Sequence, residues 1–267
     1  MEQRDANYEI IISRKGLPIV FENRPYLAEF PHLHKEIEIV YIKQGSCEAY
    51  VNQRKYEMHA GDLMIAYPHQ IHYYLNVPRG EYLLLIFNTD FLLEMEPEIH
   101  ENILVDNVLH IGTDSDIAKD IQDIIAIDGK YVHSKVRYSI GLIMAKLLPL
   151  LHIKPIPKSA NLTVSSVLEY CQNHYTEDIS LSLLAEKLHL NKNYISHIIN
   201  THTNMSLTDF VNSMRIHAAS MELRTTDKKI LEIAQEVGFS SLRSFNRAFL
   251  TYGKMTPTEY RKQFKVT

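Results

Sequence analysis

Up to about Ile111 the apolar positions fall in short runs, such as EIEIVYIKQG, CEAYVN, DLMIAY and YLLLIFN, broken by polar stretches with Gly, Pro and Asn. Short runs rich in β-branched residues and tyrosine predict a small all-β sandwich or barrel. From Asp114 the period changes. Ile117, Ile121, Ile124 and Ile125 fall at helical spacing before an Asp128-Gly129 stop. Val132, Val136, Ile140, Ile143, Met144, Leu147, Leu148 and Leu151 then form a longer stripe. Two helices closing an antiparallel hairpin are expected. Leu142, Ile143 and Leu147 have no evident further chain to cover them, so the hairpin is expected to dimerise.

A polar stretch at 154–161, Lys-Pro-Ile-Pro-Lys-Ser-Ala-Asn, reads as a linker, and everything after it reads helical. Val164, Val167, Leu168 and Cys171 share a face, as do Leu181, Leu184, Ala185 and Leu188. Ser206-x-x-Asp209 opens a long helix to about Thr225, and Thr256-Pro257-x-Glu259 is the clearest cap in the chain. The fold class predicted is multidomain α+β. It divides into a β-barrel domain at 1–112, a helical hairpin at 113–153, the linker at 154–161 and an all-α domain at 162–267.

Composition narrows the class. The 267 residues are 45% hydrophobic and 22% charged, as in ordinary globular proteins. The best apolar segment, near 142–151, is broken by Lys146 and Pro149, so no membrane span is expected. MEQRDANYEI lacks the apolar core of a secretion signal. Cys47 and Cys171 are the two cysteines, too few for a disulfide framework or a cysteine-based zinc finger, and a reduced, cytoplasmic protein is expected. The net charge of −4 argues against nucleic acid only as an average. Residues 1–160 hold 16 Lys and Arg against 22 Asp and Glu, whereas residues 161–267 hold 12 against 10. The helical part is only mildly basic, so the placement of its charges has to carry any case for DNA.

Two helix pairs there have the small crossing residue and apolar anchor of a helix-turn-helix unit: Ala185 with Ile195, and Ala234 with Phe245 after Gly238. The second anchor comes one residue later, which predicts a longer turn. The segment Ile233-Ala-Gln-Glu-Val-Gly-Phe-Ser-Ser-Leu-Arg-Ser-Phe-Asn-Arg-Ala-Phe249, continuing through Gly253-Lys-Met-Thr-Pro-Thr-Glu-Tyr-Arg261, closely resembles the signature of the AraC/XylS family of transcription regulators. The resemblance covers roughly 161–265. It implies two helix-turn-helix units joined by a long helix, with both recognition helices entering successive major grooves of double-stranded DNA, about 34 Å apart. The candidate contacts are Lys192, Asn193, Ser196, His197 and Asn200 in the first unit. In the second they are Ser241, Arg243, Ser244, Asn246 and Arg247, where the arginines stand one turn apart. Arginine is the commonest guanine reader. Three positions depart from the family pattern: Leu250 for a basic residue, Asn204 for a glycine, and Lys229 for a capping Ser or Thr.

In the β-rich part, Pro31-His32-Leu-His34-Lys-Glu-Ile-Glu38 is followed by Gly45, and later by Gly61 to Pro68, His72 and Asn76. These resemble the two motifs of the cupin superfamily over roughly 20–90, here a sensor domain of the AraC type. The upstream glycine is missing and His69 stands where a glycine is usual. On a strand, His32, His34 and Glu38 share parity and would point into the barrel with His72. Three imidazoles and a carboxylate suit Mn, Fe, Ni or Zn. They equally suit hydrogen bonds to a polar effector, or a structural His–Glu cluster. The expectation is that the four residues contact a small effector without metal or other cofactor. Tyr26, Tyr41, Tyr50, Tyr67, Tyr73 and Tyr74 make a sugar a natural candidate. The function expected is a non-enzymatic, effector-responsive, DNA-binding transcription regulator, homodimeric and with RNA polymerase as a further partner. The alternative is a cupin metalloenzyme with a helical appendage.

Overall fold

The computed structural model describes residues 19–265, apart from 28–29, 35, 53, 69, 89–101, 128–129, 156–160 and 204. The Asp128-Gly129 stop, His69, Asn204 and the middle of the expected linker therefore lie outside the described residues. The alternating text forms strands β1 (Ile19–Arg24), β2 (Ile37–Gln44), β3 (Ser46–Val51), β4 (Arg54–His59), β5 (Asp62–Ala66), β6 (His72–Leu75), β7 (Glu81–Phe87), β8 (Asn102–Leu104) and β9 (Val108–His110). A five-stranded sheet runs β1-β7-β2-β5-β9, and a three-stranded sheet β4-β3-β6 faces it. Alternation decides which side each residue serves. Val40, Ile42, Met64, Ala66 and Leu84 meet Ala49, Val51, Met58 and Tyr74 between the sheets. Ile37, Ile39, Leu63, Ile65, Leu83 and Leu85 point the other way, onto the helical hairpin.

That hairpin is α1 (Asp116–Ile125) and α2 (Val132–Leu147). Ser115 caps α1, its hydroxyl accepting from the Ala118 amide at 3.1 Å. Ile143 and Leu147, expected to be uncovered, are wholly buried in the core that the hairpin shares with the sheet, because α2 packs on α1 and turns its period-3.6 stripe inward. Leu142 alone of the three is exposed, at 51%. Another difference concerns the linker expected at 154–161. Ile153–Pro155 form β10, antiparallel to β8, and Asn161 already begins a helix. Pro155 does not prevent pairing, since a proline at a short edge strand gives up no central ladder bond.

The rest is all helical: α3 (Asn161–His174), α4 (Leu181–Leu188), α5 (Lys192–Thr203), α6 (Leu207–Thr225), α7 (Ile230–Glu236), α8 (Leu242–Gly253) and α9 (Pro257–Phe264). It has two small cores. One joins α3, α4, α5 and the start of α6; the other joins the end of α6 with α7, α8 and α9. Both also receive side chains from the β domain: Leu33 and Ile71 enter the first, Phe30 the second. The chain is thus a β domain of two facing sheets with the short β8–β10 pair, followed by a helical domain, the two meeting along a seam. Among the described residues no helix is long and apolar enough to cross a membrane.

Candidate functional site

Both helix pairs close the same way. The Leu190 amide donates to the Ala185 carbonyl at 3.1 Å, and the Phe239 amide to the Ala234 carbonyl at 2.9 Å. The first turn needs residues 189–191, the second 237–241, which is the longer turn expected from the later anchor. Ile195 and Phe245 are fully buried anchors. That fixes the rotation of α5 and α8 and turns the intervening polar residues outward. Lys192, Asn193, Ser196, His197 and Asn200 are exposed on α5; Arg243, Asn246 and Arg247 are exposed on α8. Ser241 and Ser244 are partly committed to the start of α8. The Ser241 hydroxyl accepts from the Ser244 amide at 3.2 Å, and the Ser244 hydroxyl donates to the Ser241 carbonyl at 2.8 Å. The connecting α6 has 19 residues, a rod of about 28 Å.

The second site is buried. His32, Glu38 and His72 are 5, 2 and 0% exposed, with His34 beside them. Their potential ligand atoms lie within 4.8 Å of one another. Strand parity places only Glu38. Strand β2 starts at Ile37, while His32 makes an isolated antiparallel bridge with His72 and His34 follows in irregular chain. The reason is the seam. Phe30 and Leu33 are drawn into the helical cores, which prevents residues 30–34 from extending β2.

Each histidine donates from Nδ1 to a main-chain carbonyl: His32 to Phe30 at 2.7 Å, His34 to Glu36 at 3.1 Å, His72 to Gln70 at 2.9 Å. A carbonyl can only accept, so the proton sits on Nδ1 in all three rings. The Nε2 atoms of His34 and His72 each lie 3.4 Å from the same Glu38 oxygen. The other Glu38 oxygen accepts from the Tyr74 hydroxyl at 2.6 Å. Burial works to raise the Glu38 carboxyl, but the His72 and His34 rings outweigh it and hold the acid well below the usual range. Burial and the neighbouring His217 and His72 rings push His32 well below the ordinary imidazole value. Burial lowers His34 too, yet its bond to Glu38 prevails and raises it. The set can hold a first-row divalent metal, or persist as a hydrogen-bonded cluster around an ionised carboxylate.

Two participants are invisible to pattern reading. His217, on α6, stacks on His32 with ring centroids 4.0 Å apart and planes within 8°. Tyr74 is one of many tyrosines in the β-rich text, yet its hydroxyl is the one that donates to Glu38. No local signal could single out either residue, since one lies 185 positions from its partner and the other shares a composition with its neighbours. A cavity of about 540 Å3 opens at the seam close by. Tyr26, Leu27, Phe30, Tyr73 and Tyr74 line one wall; Tyr252, Lys254, Met255, Tyr260 and Phe264 line the other.

Comparison with known proteins adds the following. Residues 18–126 match the family model described as an AraC-like ligand binding domain, and residues 184–263 one described as a helix-turn-helix domain. An uncharacterized HTH-type transcriptional regulator of Staphylococcus aureus (strain COL) is 24% identical over 248 residues, 88% of this chain and 32% of that protein. The chain thus spans about a third of the length of that relative. The regulatory protein SoxS of Salmonella typhimurium is 29% identical over 98 residues, 37% of this chain and 92% of that one. Among solved structures, ToxT from Vibrio cholerae superposes with a TM-score of 0.67 at 13% identity, covering 93% of this chain and all of that one. ToxT with a bound unsaturated fatty acid gives 0.64 at 13%, covering 92% and 94%. At such identity the likeness is one of fold.

Proposed function

The chain belongs to the AraC/XylS family, an AraC-like ligand-binding domain joined to a helix-turn-helix domain, and on that premise we propose that it is a sequence-specific transcription regulator of double-stranded DNA. The carrying observation is the exposure of Arg243 and Arg247 on one face of α8, turned outward by the buried Phe245 and Phe249. With Lys192, Asn193, Ser196, His197 and Asn200 on α5, the chain presents two reading heads on one connecting rod. The test is a mobility assay on the DNA upstream of its own coding sequence. Replacing Arg243 or Arg247 by Ala should each cost about 1–3 kcal/mol of specific binding. Unchanged affinity in both variants would remove α8 from the groove.

The same reading gives the β domain a small-molecule effector; His32, His34, Glu38 and His72 lie behind the wall of the seam cavity rather than in it, joined to it through Tyr74, which lines the cavity and donates to Glu38. The seam cavity supports an apolar effector with a polar head better than a sugar. Tyr41, Tyr67 and Tyr82 are packed into cores, and the tyrosines that reach the cavity share it with Leu27, Phe30, Met255 and Phe264. ToxT, of similar fold, has been solved with an unsaturated fatty acid, a ligand of that kind. Bound between two domains, such a molecule changes their relative populations only if it prefers one arrangement. The burial of the histidine–glutamate cluster beneath α6 favours binding over turnover, and therefore a regulator over a metalloenzyme. A homodimer through the outer face of α2 completes the proposal.

A further inference from the structure

Each helix-turn-helix unit sits on its own half of α6. Phe210, Val211 and Met214 enter the first core, whereas Ile216, Ala219 and Leu223 enter the second. Arg215 stands at the change-over, midway along the helix and half-buried. Its Nε donates to the Tyr175 carbonyl at 2.6 Å and its Nη2 to the Glu177 carbonyl at 2.7 Å. Both carbonyls lie just past the C-terminal end of α3, where unpaired carbonyls and the helix dipole favour a cation. The same guanidinium stands over the Phe239 ring, with Cζ 5.5 Å from its centroid.

These contacts reach both recognition helices. Phe239 lies in the turn of the second unit and meets the α8 anchor Phe245 edge to face, with ring centroids 5.4 Å apart. Tyr175 packs against the first core, which holds the α5 anchor Ile195. One side chain therefore joins the surroundings of one anchor to those of the other. Main chain reinforces the joint. A Cβ on Gly238 would stand 2.4 Å from the carbonyl oxygen of Thr176, the residue between the two that Arg215 holds. A helix resists bending, but each unit can still rock on it about its own core, and any such rocking moves a reading head. The planar guanidinium opposes this well, since its donors point in fixed directions and restrain rotation as well as distance. An ammonium on a flexible stem restrains distance alone.

We propose that Arg215 is a positioning residue that locks the two helix-turn-helix units at one relative rotation, and that this lock sets the groove spacing the protein accepts on DNA. The lock needs only the fold; the spacing rests on the DNA-binding reading above. One base pair inserted between two grooves moves the second by about 3.4 Å and turns it by roughly 35°. A rigid pair of heads loses base contacts to that shift. A loosened pair follows it, but has to be ordered on every binding event and so binds the original spacing less tightly.

Two measurements on the full chain test the two parts. In the first, Asn193→Cys on α5 and Asn246→Cys on α8 carry nitroxide labels, and pulsed electron paramagnetic resonance reads the distance between them without DNA. Cys47 and Cys171 are buried, and burial pushes both thiols up to about 12, so neither takes the label at neutral pH. With Arg215 in place the distribution should be single and narrow. Arg215→Met keeps an unbranched stem but no donor and should broaden or shift it, with Arg215→Lys in between. Circular dichroism verifies folding, and Arg215→Lys and Phe239→Leu carry the comparison if Arg215→Met does not fold. The second is a mobility assay on the upstream DNA footprinted with the wild type, as found and with one base pair inserted between the two protected grooves. The insertion should cost the wild type about 5- to 150-fold, the span of a lost base contact. Arg215→Met should reduce that penalty by at least about 5-fold. Identical distance distributions in wild type and Arg215→Met overturn the lock, even if the urea midpoint falls. Equal insertion penalties overturn its role in spacing. If the wild type binds no DNA, the spacing claim falls with the DNA-binding reading, while the label distances alone decide the lock.

Discussion

Single residues decide how closely the parts approach. Gly238 ends α7 at φ +94°, and a Cβ there would stand 2.4 Å from the Thr176 carbonyl oxygen. Both penalties act on main chain, which has little freedom to give way. Gly238→Ala should destabilise the helical domain by at least about 2 kcal/mol, read as a lower urea midpoint. Gly253 differs in kind. Its neighbour is the edge of the Phe30 ring, so substitution there disturbs the seam before it disturbs the helix. Arg215 marks another residue-scale joint, donating to the Tyr175 and Glu177 carbonyls and tying α6 to the chain after α3.

At the scale of elements, caps show what local text can specify. The Glu259 amide donates to the Thr256 hydroxyl at 3.2 Å while the Thr256 amide donates to the Glu259 carboxylate at 2.7 Å, with Pro257 in the first turn. At α6 the Asp209 amide donates to the Ser206 hydroxyl at 3.1 Å, and that hydroxyl, rather than the Ser206 amide, donates to the Asp209 carboxylate at 2.6 Å. At α7 the departure from the family pattern is absorbed differently: the Lys229 amide donates to Glu232 at 2.9 Å, and the lysine side chain is not needed. Thr256→Ala should therefore cost about 0.5–2 kcal/mol, while Lys229→Ala should be near neutral. Thermal unfolding of the two variants side by side checks the contrast.

For the whole molecule, two surfaces carry expectations. Along α2 and just beyond it, Tyr131, Tyr138, Leu142 and Leu150 are 67, 78, 51 and 50% exposed. This outer stripe replaces the expected one, whose Ile143 and Leu147 lie under the helix. A dimer through it should appear in sedimentation of the full chain at tens of micromolar, about the scale of a modest interface, and Tyr138→Glu with Leu142→Glu should leave a monomer. At the seam, an unsaturated fatty acid should raise the melting temperature where simple sugars do not. With ligand at 100 times its dissociation constant the gain is about 2.7 kcal/mol; equal shifts from both ligand classes would count against the seam cavity.

Sequence pattern is a local property, and it is sufficient for β2, β3, β5 and β7, the hairpin stripe, the caps at Ser206 and Thr256, and the outward faces of α5 and α8. Each follows from bonds and burial within a few residues of chain. The grouping of His32, His34, Glu38 and His72 is also legible, through a motif, but shared strand parity is not what brings them together. Strand parity accounts for Glu38 alone. The two histidines before it are placed by Phe30 and Leu33, which leave the barrel for cores built from residues more than a hundred positions later. The stack of His217 on His32, the hold of Tyr74 on Glu38 and the cover over Ile143 are of the same sort. Apolar burial is indifferent to sequence distance, so which surfaces close on one another is decided only when the whole chain has packed.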